Sequence, residues 1–268
     1  MPMRQSRLWL KAALIILMFL WGLVATGLLW PFLELVLGRK AGFFQEAIRS
    51  HWCAMVCRIL NVEVETIGTP SHETRLWVAN HISWLDIIAL GARHPLLFVA
   101  KEEVADWPVM GYLARRLGTL FVRRGDAEQT GSIAEKMAWQ LRQGRQIMLF
   151  PEGTTTTGER VLRFHAKLFQ PAQLAQVQVQ AIGIEYRGEA KTFAPFIGED
   201  NFLTHLLQIL DRDRVRLRVH YCQPLPPGMH RDILAQTTRK QVVTALSSKP
   251  EADEGKVASV TRLQFQSH

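Results

Sequence analysis

Twenty-two consecutive residues without a charge, Ala12 to Leu33 (AALIILMFLWGLVATGLLWPFL), constrain this chain more than any other feature. As a helix the run measures about 33 Å at ~1.5 Å per residue, enough to cross the hydrocarbon of a bilayer. A chain carrying it must bury that surface on itself or give it to a membrane. A cleaved leader is the competing account, but leaders have apolar cores of about 7–15 residues, and VATG is a weak processing site. The run therefore reads as an anchor. Arg4, Arg7 and Lys11 precede it and Arg39 and Lys40 follow it, so basic residues flank both ends and set no orientation. Trp30-Pro31 is expected to break the helix late, which leaves a spanning helix and a bent segment within one leaflet both open.

Residues 42–60 place Phe43, Phe44, Ala47, Ile48, Trp52, Met55, Val56 and Ile59 at helical spacing, with Gln45, Glu46, Arg49 and Arg58 largely opposite. This amphipathic helix either packs on a soluble core or lies in the membrane interface. Residues 1–60 together read as an N-terminal membrane unit.

With 268 residues, 48% of them hydrophobic, the chain can bury a sizeable core, so disorder as a whole is excluded. Its formal charge of +8 implies an anionic partner: nucleic acid, a membrane surface or a small negatively charged substrate. Nucleic acid is set aside, because no recognition spacing or basic-aromatic platform appears and an apolar run accounts for the charge. In DRDRVRLRVH, strand periodicity puts Arg212, Arg214, Arg216 and Arg218 on one face. That face reads as an edge strand protected by charge, or as a surface for anionic lipid headgroups. Cys53, Cys57 and Cys222 form neither a disulfide framework nor a zinc pattern and suit a reducing cytoplasm.

Beyond residue 60, short apolar segments alternate with helical ones. VEVETIG, LWVAN, LLFVA, GTLFVRR, QIMLF, VQVQAIGIEY and VRLRVHY are strand candidates, and DIIALGAR, WPVMGYLARR and AEQTGSIAEKMAWQLRQG are helices. One α/β domain with a largely central, buried sheet is expected over residues 61–246. Residues 247–268 turn polar and aperiodic and read as a flexible tail.

Two polar constellations interrupt this apolar sequence. In NHISWLD (80–86), Ser83 to Asp86 fits the S-x-x-D signature of a helix start, which accounts for Asp86 as a first-turn carboxylate but not for His81. Inside one helix the two would lie about 140° apart. With His81 on the turn before the cap, Asp86 can fold back to the imidazole, fixing its tautomer as a general base requires. No G-x-S-x-G is present and neither Ser83 nor any cysteine stands in a nucleophile context, so such a base would activate a hydroxyl or water brought by the substrate. In IMLFPEGTTTTGER (147–160), a strand delivers Glu152, Gly153 and four threonines to its exit loop, where open α/β sheets bind ligands. GTLFVRRGD adds Arg123 and Arg124 at another strand end, a residue type suited to phosphate.

These residues resemble the glycerolipid acyltransferases typified by bacterial lysophosphatidic acid acyltransferase. NHxxxxD is matched by Asn80, His81 and Asp86, a glycine-led strand ending in arginine by Gly118 to Arg124, and FPEGT by Phe150 to Thr154. The resemblance covers roughly residues 60–245. It implies a single mixed-sheet α/β acyltransferase domain behind membrane-embedded helices, at the inner (cytoplasmic) membrane with the catalytic domain facing the cytoplasm. It also implies that His81 deprotonates the acceptor hydroxyl, that Asp86 orients His81, and that Asn80, Lys101, Arg124, Glu152, Gly153 and Thr154 place the acceptor. The donor would be acyl-CoA or acyl carrier protein, and neither metal nor cofactor is needed, since a thioester already carries an activated acyl group. The leading acceptor is 1-acyl-sn-glycerol 3-phosphate, giving phosphatidic acid. Two departures bear on it: Thr155 stands where many phosphatidic-acid-forming members have arginine, and Ala181 where a proline is usual. FPEGTTT and RFHAKLF also look like relatives that acylate lyso-ornithine lipid. A thioesterase or lipid hydrolase using the same dyad on water, and a membrane lipid-binding protein without turnover, are the readings from other classes.

Overall fold

The computed structural model describes residues 2–123, 127–248 and 260–261. It opens with α1 (Pro2–Val24), a π-helical turn at Ala25–Leu29, α2 (Trp30–Leu37) and α3 (Ala41–Leu60). Together Gln5–Leu37 is one continuous helix, long and apolar enough by composition to cross a membrane. Trp30-Pro31 does not break it. Pro31 falls in the first turn of α2, where a missing N–H costs little, and Gly38, at φ 53°, ends the helix instead. The π turn releases the carbonyl of Thr26, which accepts two bonds from the Arg116 guanidinium, at 3.0 and 2.7 Å.

The rest alternates as expected: β1 (Val62–Ile67), β2 (Leu76–Ala79), α4 (Trp84–Gly91), β3 (Leu96–Lys101), α5 (Met110–Arg116), β4 (Leu120–Val122), α6 (Ala127–Arg142), β5 (Gln146–Leu149), α7 (Gln170–Ala175), β6 (Val179–Arg187), α8 (Ala190–Phe193), α9 (Phe202–Leu210), β7 (Val215–Tyr221), α10 (Arg231–Ser247) and β8 (Val260–Thr261). The strands form one mixed sheet in the order β4-β3-β5-β2-β6-β7-β1-β8. β2 to β6 run parallel, so their carboxyl ends share one edge; β7 runs antiparallel to β6 and parallel to β1. Helices cover both faces. Trp77, Leu85, Ile182, Ile184 and Ile209 belong to one apolar cluster, and Val78, Leu149, Phe169, Ala181 and Val242 to the other.

α1 and α3 of the expected N-terminal membrane unit contact the core cluster. Cys53, Val56, Cys57 and Leu60 of α3 are buried, and Ile15 of α1 joins the first cluster with three of them. α3 therefore packs on the soluble core through its second half, while Phe43 and Phe44 stay exposed at its start.

The arginine-rich strand corrects the expectation of an edge. β7 lies between β6 and β1, both of which bring carboxylates. Arg218, buried, grips Glu65 with two bonds of 2.9 and 3.1 Å and Glu185 at 3.2 Å, while Arg214 and Arg216 pair with Glu63. Arg212 precedes the strand, its guanidinium 4.7 Å above the Phe193 ring. Of the expected flexible tail, Val260 and Thr261 pair with Glu65 and Val64, Ser247 ends α10, and the remainder apart from Ser248 lies outside the described residues.

Candidate active site

The site assembles at the carboxyl ends of β2, β5 and β6. β2 ends at Ala79, and Asn80 extends its ladder with a side chain: Nδ2 donates to the Ile184 carbonyl at 2.9 Å and Oδ1 accepts from the Ile184 N–H at 2.8 Å. Asn80 is buried, and this main-chain pairing uses both ends of its amide. The amide, expected to contact the acceptor, stitches β2 to β6.

The chain then turns through His81 and Ile82 to Ser83, the N-cap of α4, whose hydroxyl accepts from Leu85 N. Asp86 completes a capping box and does more than cap. Its Oδ2 accepts from the main-chain N–H groups of Ile82 and Ser83 at 2.8 and 3.0 Å and lies 2.9 Å from His81 Nδ1. Its Oδ1 accepts from the Tyr186 hydroxyl at 2.7 Å. A fully buried carboxylate is thus satisfied by four donors, and one of its oxygens both caps α4 and meets the His81 ring. Burial, the Asp86 charge and this bond all push the Tyr186 hydroxyl well above its ordinary range, so it stays a donor. With Nδ1–H directed at Asp86, His81 keeps Nε2 as its basic nitrogen.

β5 brings the second constellation. The Phe150 ring stacks on the His81 imidazole, centroids 3.8 Å apart at 14°. Gly153 adopts φ 69° in the tight turn that follows, its N–H returning to the Phe150 carbonyl at 3.0 Å. That turn directs Glu152 inward. Its two carboxylate oxygens accept from His81 N and Leu162 N, each at 3.0 Å. Burial nevertheless pushes the Glu152 carboxyl up, against the opposing pull of those bonds. Glu152, which the resemblance implies places the acceptor, clamps the His81 turn to the loop after β5. The clamp is doubled by Thr156 N, which donates to the His81 carbonyl at 2.9 Å, and by Phe196 N, which donates to the Ile82 carbonyl at 2.9 Å.

Thr154 is exposed on the rim of this turn, and Lys101 is exposed at the carboxyl end of β3, on the same sheet edge. Arg124 lies outside the described residues; its neighbour Arg123 pairs with Glu102. Cys53 and Cys57 are buried in α3, and burial pushes the Cys53 thiol up to about 12, so neither offers a thiolate nucleophile. Among the described residues no cluster of His, Cys, Asp and Glu is arranged to hold a metal ion.

Sequence reasoning missed Tyr186, Thr156 and Phe196. Tyr186 carried a signal: it shares its strand face with Ile182 and Ile184, and a hydroxyl on a buried apolar face calls for a partner. The other two act through main-chain N–H groups and left none.

A carboxylate-bonded imidazole at a strand exit suits transfer to a hydroxyl that the substrate brings. A family model described as Acyltransferase matches residues 61–185. The chain is 40% identical over 251 residues to a lyso-ornithine lipid O-acyltransferase of Pseudomonas aeruginosa, covering 91% of this chain and 95% of that one. It is 34% identical over 171 residues to a 1-acyl-sn-glycerol-3-phosphate acyltransferase of Neisseria meningitidis, covering 62% and 67%. The solved 1-acyl-sn-glycerophosphate acyltransferase of Thermotoga maritima superposes with a TM-score of 0.63 at 19% identity, over 92% of this chain and all of that one, so the mixed sheet is the same fold. With the motifs in place and similarity running nearly end to end, the chain belongs to the lysolipid acyltransferase family.

Proposed function

We propose that this protein transfers a fatty acyl group from acyl-CoA or acyl carrier protein to the free hydroxyl of a lysolipid, with His81 as general base, and that the acceptor is a lyso-ornithine lipid. The observation that carries the reaction is the His81–Asp86 pair at 2.9 Å on a turn held at both carbonyls by neighbouring main chain. His81 Nε2 takes the proton as the acceptor oxygen attacks the thioester carbonyl carbon. The C–O bond forms, the C–S bond breaks, and the imidazolium returns its proton to the leaving thiolate. Lys101, Arg124, Gly153 and Thr154 are proposed to place the acceptor.

The acceptor assignment rests on similarity to the Pseudomonas protein over 91% of the chain and on Thr155 in place of arginine. 1-Acyl-sn-glycerol 3-phosphate is the second reading, favoured by the Neisseria relative. The cytoplasmic membrane, with the catalytic domain on the cytoplasmic side, is the proposed location. Gln5–Leu37 is tied to the domain along its length, by Arg7 to Asp213, Lys11 to the Arg212 carbonyl, Trp52 to the Met18 carbonyl and Arg116 to the Thr26 carbonyl. This supports a helix with one face on protein and the other in lipid rather than one threaded away from the domain.

The test is a membrane-fraction assay with labelled acyl-CoA or acyl carrier protein, against lyso-ornithine lipid, 1-acyl-sn-glycerol 3-phosphate and neutral lysophospholipids. Diacyl product from the first acceptor that vanishes in His81→Ala is expected. Preference for the second would reassign the acceptor. Free fatty acid alone would make the protein a hydrolase, and identical lipids from both proteins would leave it a binding protein.

A further inference from the structure

The apolar surface does not stop at the N-terminal helix. α9 buries Leu206, Ile209 and Leu210, yet at about 100° per residue Leu203 and Leu207 continue its apolar arc outward before Thr204 and Gln208 turn it polar. Leu203 is 62% exposed and Leu207 47%. Beside them, Trp107 and Tyr112 are exposed, and Val109 caps α5 with φ 62°. A β-branched residue is rarely held in that left-handed region. Here the strained backbone does not serve burial, since Val109 is 44% exposed. The two patches join: the Trp107 and Phe202 rings lie 6.4 Å apart, and Phe202 packs at 5.3 Å on Trp84, the first residue of the helix that holds Asp86. They also join the N-terminal helix. Gly27, in its π turn, leaves only 3.4 Å between the Tyr112 hydroxyl and the place a Cβ would occupy.

We propose that Trp107, Val109, Tyr112, Leu203 and Leu207 form a second lipid-contacting ledge, continuous with the outward face of Gln5–Leu37. It seats the catalytic end of the sheet on the bilayer, so the acceptor need not leave the membrane to reach His81. Continuity with the apolar outward face of Gln5–Leu37, a helix long enough to cross a membrane, selects a lipid surface as the occupant. So do the residue types, since tryptophan and tyrosine favour the headgroup level. The inference rests on the membrane reading of the N-terminal helix, and its test separates the two.

A full-length Cys222→Ser chain carrying Leu203→Cys would be labelled there with an environment-sensitive fluorophore, because Cys53 and Cys57 are buried. It would be mixed with phosphatidylethanolamine–phosphatidylglycerol vesicles, beside a Glu73→Cys control. A blue shift at 203 but not at 73, in a chain that co-sediments with vesicles, is expected. A label that stays water-like on a co-sedimenting chain overturns the ledge and spares the N-terminal reading; failure to co-sediment overturns both. A concentration-dependent shift without vesicles would assign the patch to a second copy of the chain and overturn the proposal. As a functional check, Leu203→Glu with Leu207→Glu is expected to raise KM for vesicle-embedded lysolipid about fivefold or more, with turnover of a short-chain dispersed acceptor unchanged. Equal KM values would count against it.

Discussion

Two polar clusters interrupt the apolar sheet, one at the exit of β2 and one along β7, and they differ in what they leave unspent. On β7 every strand arginine meets a carboxylate from a neighbouring strand, and the Glu185 carboxyl shows how completely. Burial would raise it, but the His220 bond and the charges of Arg187 and Arg218 outweigh that and pull it down to about 2. At the exit of β2, Asn80, Asp86 and Glu152 are likewise bonded, but His81 comes out held by Nδ1 with Nε2 as its remaining basic nitrogen. A density of charge marks the first cluster, and one nitrogen left over from a well-satisfied network marks the second. The second kind points to chemistry.

The sharpest way to break this contrast is Asp86→Asn. The side chain keeps its shape but loses the anion that orients His81, and kcat is expected to fall about 10³-fold, roughly 4 kcal/mol at the transition state, with circular dichroism close to native. Near-native turnover would mean that the dyad geometry does not matter.

Arg218→Leu makes the complementary cut. It leaves Glu65 and Glu185 without their shared cation and is expected to cost about 2–3 kcal/mol in chemical denaturation, with kcat per folded molecule unchanged. A carboxyl depressed in the folded state contributes stability above its unfolded value, near 4.5, and loses it as pH falls toward 2. Wild type should therefore lose stability faster than Glu185→Gln across that acidic window. Parallel curves would show that the β7 network stores no such energy.

Tyr186→Phe tests whether the outer bond to Asp86 belongs to the active or the structural cluster. A loss of about tenfold in kcat, with KM little changed, is expected from one hydrogen bond to an orienting carboxylate. Smallest of all, Arg216→Ala removes an exposed ion pair of 3.4 Å and is expected to shift stability by no more than about 0.5 kcal/mol and activity not at all. A larger loss of binding to anionic vesicles would return this strand to a lipid-facing role.

What was legible in the sequence follows the range of the physics. The start of α4 was readable at Ser83 because capping is decided within four residues, and the same short range let Asp86 reach His81. Most strand and helix segments were readable from periodicity. The role of Glu152 was not, because its partners are main-chain groups at positions 81 and 162, and which strand exits meet depends on sheet order. β7 was misplaced for the same reason: its neighbour β1 lies about 150 residues earlier, and alternation alone does not separate an edge arginine strand from a central one facing glutamates. Trp30-Pro31 looked like a stop because proline usually is one, and the π turn just before it was invisible to composition.

One oxygen of Asp86 holds both the first turn of α4 and the ring of His81. The helix start and the imidazole are thereby locked together: a molecule whose helix start frays also loses the orientation of His81. If His81 is the base proposed above, a half-folded copy would lose its activity together with its helix start, so the fold would gate its own chemistry.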